Sequence, residues 1–133
     1  HGGGTNHRMG LYDMAMIKDN HIKMAGGIPK AVEQVRAKID PSIKIEVETT
    51  NLEEVKQAIE AGADIIMLDN MKGETLEKAI AMIGDKAQTE ISGNVTLENV
   101  ARYVTLGVDF ISSGALTHSA PILDVSLKHL KGI

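Results

Sequence analysis

Five positions, each about one strand-helix unit from the next, carry side chains able to do chemistry: Lys18, Glu48, Asp69, Ser92 and Ser112. Each ends a short apolar stretch: MAMIK, IKIEVE, DIIMLD, AQTEIS and VDFIS. A carboxylate that closes a run as apolar as IIML is costly unless it is paired or faces a polar cavity, so Asp69 is hard to read as a bland loop acid. Glu48 taken alone reads equally well as a helix cap. Together the two acids could hold Mg²⁺ through water, bind sugar hydroxyls or stabilise a developing positive charge. They are too few for a dedicated zinc or calcium site. His7 and Arg8, just ahead of the first run, extend a cationic set that includes Lys18. Two like charges about 4 Å apart repel by roughly 4 kcal/mol at an effective dielectric near 20, so such a set calls for neighbouring acids or a bound anion. Arg8 suits bidentate carboxylate recognition, and Lys18 supplies a point charge. Ser92-Gly93-Asn94 and the SGALTHS stretch, with Gly114 and His118, are glycine turns. Their backbone N–H groups can approach a phosphate closely, which we favour over plain turns.

These residues need elements to position them. Short apolar runs over 14–18, 43–48, 64–69, 87–92 and 108–112 read as strands. Between them lie helical patterns: PKAVEQVRAK from Pro29, LEEVKQAIEAG after an Asn51 cap, GETLEKAIAMIG and TLENVARYVTLG. The tail beyond Pro121 also looks helical. This alternation predicts an α/β fold with right-handed crossovers and a parallel sheet. All carboxyl ends of the strands then lie on one face, which carries the site. The prediction is a parallel β/α barrel-type domain over residues 1–133, incomplete, with about five βα units.

Composition narrows the function. The 133 residues are 43% hydrophobic and 24% charged, and lack cysteine. Disulfides and thiolate metal sites are excluded, and a cytoplasmic setting is expected. The net charge is −4 and only Tyr12, Tyr103 and Phe110 are aromatic. No nucleic-acid partner is therefore expected, and no run is long enough to span a membrane. The methionines read as core filler. The start at His1 suggests a fragment or a processed chain.

The segments GGGTNHRMGLYDMAMIKDNHI, IEVETTNLEEV, IIMLDNM, ISGNVTLENV and GVDFISSGALTHS followed by LDVSLK resemble quinolinate phosphoribosyltransferase, also called nicotinate-nucleotide pyrophosphorylase (carboxylating), along essentially the whole chain. The resemblance implies a pentosyl-transferring glycosyltransferase. It condenses quinolinate with phosphoribosyl pyrophosphate, with Mg²⁺, into nicotinate mononucleotide, pyrophosphate and carbon dioxide in de novo NAD biosynthesis. It implies that His7, Arg8 and Lys18 hold the quinolinate, that Glu48 and Asp69 serve the ribose and its metal, and that Ser92, Gly93, Asn94, Gly114 and His118 surround the 5′-phosphate. Lys18, Glu48 and Asp69 are the expected catalytic set. Members of this family also carry an N-terminal α/β domain and a strand with an Arg-Lys-Thr-Thr-Pro segment, both absent here, and act as dimers. A homo-oligomer is thus expected, and an inactive isolated chain. Two alternatives stand beside this reading: a non-catalytic barrel fragment that keeps a phosphate site, and a paralogue that uses another aromatic acid.

Overall fold

The computed structural model describes residues 3–10 and 13–118. Five strands form one sheet: β1 (Met14–Ile17), β2 (Lys44–Thr49), β3 (Ile65–Asp69), β4 (Gln88–Ser92) and β5 (Phe110–Ile111). They are hydrogen-bonded in chain order, and every pair is parallel. The connections run through α1 (Asp19–Ala25) with α2 (Ile28–Arg36), then α3 (Leu52–Glu60), α4 (Gly73–Ile83) and α5 (Val100–Val104), and α6 (Ala115–His118) follows β5. The incomplete α/β barrel architecture is as expected. The helix expected beyond Pro121, with LDVSLK, lies outside the described residues.

The alternation of side chains along each strand separates two environments. Ile17, Ile45, Val47, Ile66, Leu68 and Ile91 point into one core with the helices, where Val55, Leu76 and Ile83 meet them. Residues one step along the same strands face the other way. Ile65 and Met67 are buried there without joining the helix-packed core. That opposite face also carries Glu46, Glu48, Asp69, Glu90 and Ser92, so the fold has an apolar side and a chemical side.

Three details depart from the expected elements. Helix α1 was not anticipated: it has seven residues, none fully buried, and only Ile22 and Ala25 pack partly against the core, so its periodic signal is weak. It is defined instead by its ends. The Lys18 N–H donates to His21 Nδ1 at 3.0 Å, and Gly26 closes it at φ 82°. Helix α5 is shorter than the pattern over 96–107, because Asn99 Oδ1 accepts from the Thr96 N–H and holds those residues as a turn. Nor are all methionines core. Met14, Met67 and Met71 are buried, but Met9 and Met24 are 75% and 89% exposed.

Two aspartates at the opposite ends of the strands do matching structural work. Asp64 accepts from the Ile45 N–H and from Arg36, each at 2.7 Å. Asp109 accepts from the Thr89 N–H at 2.7 Å and the Thr89 hydroxyl at 3.0 Å. Each sits just before its own strand and ties that strand's start to the second residue of the preceding strand. Burial works against the charge of Asp64, yet the Ile45 N–H and Arg36 hold its carboxyl below the usual range.

Candidate functional site

Parallel register brings the strand-end residues to one rim. Ile17 pairs with Val47, which sets Lys18 beside Glu48, and their charged groups lie 3.8 Å apart. Asp69 pairs directly with Ser92, and the Ser112 N–H donates to the Ile91 carbonyl. Glu48 is half-buried. Burial raises its carboxyl, Lys18 opposes that, and the charges of Asp69 and Asp19 raise it further. The acids are therefore close enough to feel one another, and both retain solvent access.

Asn70 joins Asp69 to the SGN turn, and the sequence reading did not single it out. Its Nδ2 donates to Asp69 Oδ2 at 3.0 Å, its Oδ1 accepts from Asn94 Nδ2 at 2.8 Å, and its N–H donates to the Ser92 carbonyl at 2.9 Å. The residue sits at φ 54°, a conformation asparagine tolerates better than most side chains. Gly93 at φ 90° faces the Asn70 amide so closely that any Cβ would run into it. Asn94 also adopts positive φ, and its carbonyl accepts from Asn99 Nδ2 at 2.8 Å. The Ser113 hydroxyl donates to the Val95 carbonyl at 2.8 Å, so the turns after β4 and β5 are bonded together. Gly114 follows in the same turn. His118 closes α6, and the role assigned to its side chain lies outside the described residues.

The cationic set is distributed differently from a single cluster. Lys18 stands with Glu48. His7 reaches the chemical face of the sheet, where its Nε2 lies 3.1 Å from Glu46 Oε2 and 3.4 Å from Glu90 Oε1. Arg8 is half-buried and makes no ion pair among the described residues. The acids needed to offset adjacent cations are thus present, but two of them, Glu46 and Glu90, were not recognised in the sequence. Their only signal was alternation: each lies two residues before a recognised strand-end residue and so shares its face.

Glu46 is fully buried and Glu90 is 3% exposed. Burial pushes the Glu46 carboxyl up to about 7, with the charge of Glu90 adding to the rise and His7 opposing it. Ser112, instead of facing outward with its turn, donates its hydroxyl to Glu90 Oε1 at 2.6 Å. His7, Glu46 and Glu90 each offer a ligand atom within 4.8 Å of the others, so this buried cluster is capable of holding a metal ion. Glu48 and Asp69 present only oxygen donors, which fits a hard ion such as Mg²⁺ held through water.

Comparison with known proteins identifies the family and the fold. The family model described as "Quinolinate phosphoribosyl transferase, C-terminal domain" matches residues 1–128. The chloroplastic nicotinate-nucleotide pyrophosphorylase (carboxylating) of Arabidopsis thaliana is 50% identical over 145 residues, covering 96% of this chain and 42% of that protein. The crystal structure of NadC from Streptococcus pyogenes superposes with a TM-score of 0.85 at 46% identity, over 96% of this chain and 45% of that one. The nicotinate-nucleotide pyrophosphorylase of Francisella tularensis gives a TM-score of 0.82 at 49% identity, over 87% and 41% of the two chains. The chain thus spans less than half the length of the relatives it matches.

Proposed function

Because the chain belongs to the quinolinate phosphoribosyl transferase C-terminal domain family, we propose that it is the barrel portion of an enzyme that transfers phosphoribose from phosphoribosyl pyrophosphate to quinolinate. The observation that carries this reading is the convergence of Lys18, Glu48, Asp69 and both Ser-Gly turns on one rim. Residues 1–133 act as one domain in this proposal.

The residues divide the substrate between them. His7, Arg8 and Lys18 receive the two carboxylates of quinolinate. The amides of Gly93 and Gly114, with Ser92, Asn94 and His118, receive the 5′-phosphate. Glu48 and Asp69 face the ribose. When the pyridine nitrogen attacks the ribose carbon and pyrophosphate leaves, that carbon becomes oxocarbenium-like, and two fixed carboxylates stabilise it. Asn70 holds Asp69 in place for this role. The pyridinium formed then accepts the electron pair released as the adjacent carboxylate departs as carbon dioxide, leaving nicotinate mononucleotide. Glu48 and Asp69 would hold Mg²⁺, which when bound would supply charge neutralisation to the leaving pyrophosphate. A cytoplasmic setting goes with this reading.

The open sheet favours one qualification of that activity. Neither β1 nor β5 is paired on its outer side among the described residues. Beside β1 lies a groove of about 470 Å³ lined by Met16, Ile17, Met24, Val35 and Ile39. Unpaired strands and apolar grooves recruit further chain. Activity accordingly requires the remaining barrel strands, and a homo-oligomer covers the edges.

The test is ligand titration followed by amide chemical shifts. Phosphoribosyl pyrophosphate should move Gly93 and Gly114, and quinolinate should move residues around Lys18 in the parent but not in Lys18→Met. Nicotinate mononucleotide formation by the chain alone should be negligible. Silence of the whole rim toward both ligands at millimolar concentration would overturn the assignment.

A further inference from the structure

We propose that His7, Glu46 and Glu90 form a site for one divalent transition-metal ion of the Zn²⁺ and Mn²⁺ class, separate from the Glu48–Asp69 pair. The donors come from three parts of the chain. Glu46 lies on β2 and Glu90 on β4, so their side chains meet across β3, above Ile65 and Met67. His7 closes the third side from the N-terminal segment.

The spacing matches a coordination polyhedron. Metal–ligand bonds of about 2.0–2.2 Å to imidazole nitrogen and carboxylate oxygen put tetrahedral donors roughly 3.3–3.6 Å apart, and octahedral ones near 3.0 Å. His7 Nε2 lies 3.1 Å from Glu46 Oε2 and 3.4 Å from Glu90 Oε1. All three ligand atoms lie within 4.8 Å of one another, so an ion between them draws the two carboxylates toward it.

The second observation is an orphaned atom. Among the described residues, Glu46 Oε2 is buried and has no hydrogen-bond partner, although it lies 3.1 Å from His7 Nε2. Buried polar atoms are nearly always satisfied, so a carboxyl oxygen left bare calls for a partner. A metal bond satisfies it where the imidazole at a poor angle does not. The surroundings supply the support such sites need. The Ser112 hydroxyl donates to Glu90 Oε1 at 2.6 Å and fixes the orientation of that carboxylate. The His7 side chain is 29% exposed while the glutamates are buried, which provides an entry path and an outward position for water.

The chemistry selects the ion. Two carboxylates neutralise a divalent charge, and the imidazole nitrogen favours a borderline transition metal over Mg²⁺ or Ca²⁺. An ion held there also keeps positive charge where His7 stands. Nothing in this assignment depends on the identity of the organic substrate.

Metal-stripped chain, without substrate, should be titrated calorimetrically with Zn²⁺ and Mn²⁺, and with Co²⁺ read by its visible absorption. We expect one ion per chain, a Co²⁺ spectrum with nitrogen and oxygen donors, and a rise in melting temperature with Zn²⁺. Glu46→Gln and Glu90→Gln should each weaken binding tenfold or more, whereas the Glu48→Gln, Asp69→Asn double variant should bind as the parent does. His7→Ala, on an exposed segment, gives the same loss should a glutamate variant fail to fold. Absence of stoichiometric binding, or parent-like affinity in His7→Ala and the glutamate variants, overturns the site. Loss of binding only in the Glu48, Asp69 variant does so too.

Discussion

Replacing Gly93 by alanine should cost about 3–4 kcal/mol, and the structure says where the cost comes from. Gly93 sits at φ 90°, where an L side chain is strained by about 1–2 kcal/mol. The new methyl would also occupy the space of the Asn70 amide, so that side chain must leave. It then gives up its bonds to Asp69 and Asn94, worth about 1 kcal/mol each. Asn70→Ala alone loses the same two bonds and leaves alanine at positive φ, a cost of about 2–3 kcal/mol. Because the clash requires both residues, the double variant should fall short of the summed losses by about 2 kcal/mol. Urea unfolding of the four proteins measures the cycle. Additive losses, or a Gly93→Ala change within about 0.5 kcal/mol of zero, would refute the account of how the Asp69 strand end and the SGN turn are locked together.

Two further predictions concern the carboxylates. In chelator-treated protein, the contribution of Glu46 to stability should be full below pH 4.5 and fall by about 3 kcal/mol toward pH 7, since the folded state keeps a proton on Glu46 that the unfolded chain has released. Glu46→Gln should flatten that dependence in urea midpoints measured from pH 4 to 8, and an unchanged slope would count against the buried acid. Asp64→Asn should cost about 1–3 kcal/mol at neutral pH, because its carboxylate accepts from both the Ile45 N–H and Arg36; the same urea titration measures it. The wild-type contribution of Asp64 should itself fade as the pH drops through its lowered midpoint.

Much of this molecule was legible in one dimension because local rules govern it. The strand-helix beat, the Asn51 cap with its Oδ1 accepting from the Glu54 N–H at 2.9 Å, and Pro29 in the first turn of α2 all depend on residues within a few positions of each other. Parallel order then follows from chain connectivity, and with it the shared rim of Lys18, Glu48, Asp69 and Ser92. Helix α1 escaped because it is short and only Ile22 and Ala25 pack partly against the core, too little apolar periodicity to announce it. The pairing of charges was decided only in three dimensions. Glu46 and Glu90 are far apart in the chain and look like ordinary alternating strand residues. Sheet register carries them toward each other across β3, and the N-terminal segment sets His7 between them. Asn70 likewise reads as a loop residue until the neighbouring strand places Gly93 against its amide. Residue types and spacing thus determined the elements and the end of the sheet that bears the chemistry. Which acid meets which cation depended on contacts between strands, because electrostatic partners are chosen by distance in space and not along the chain.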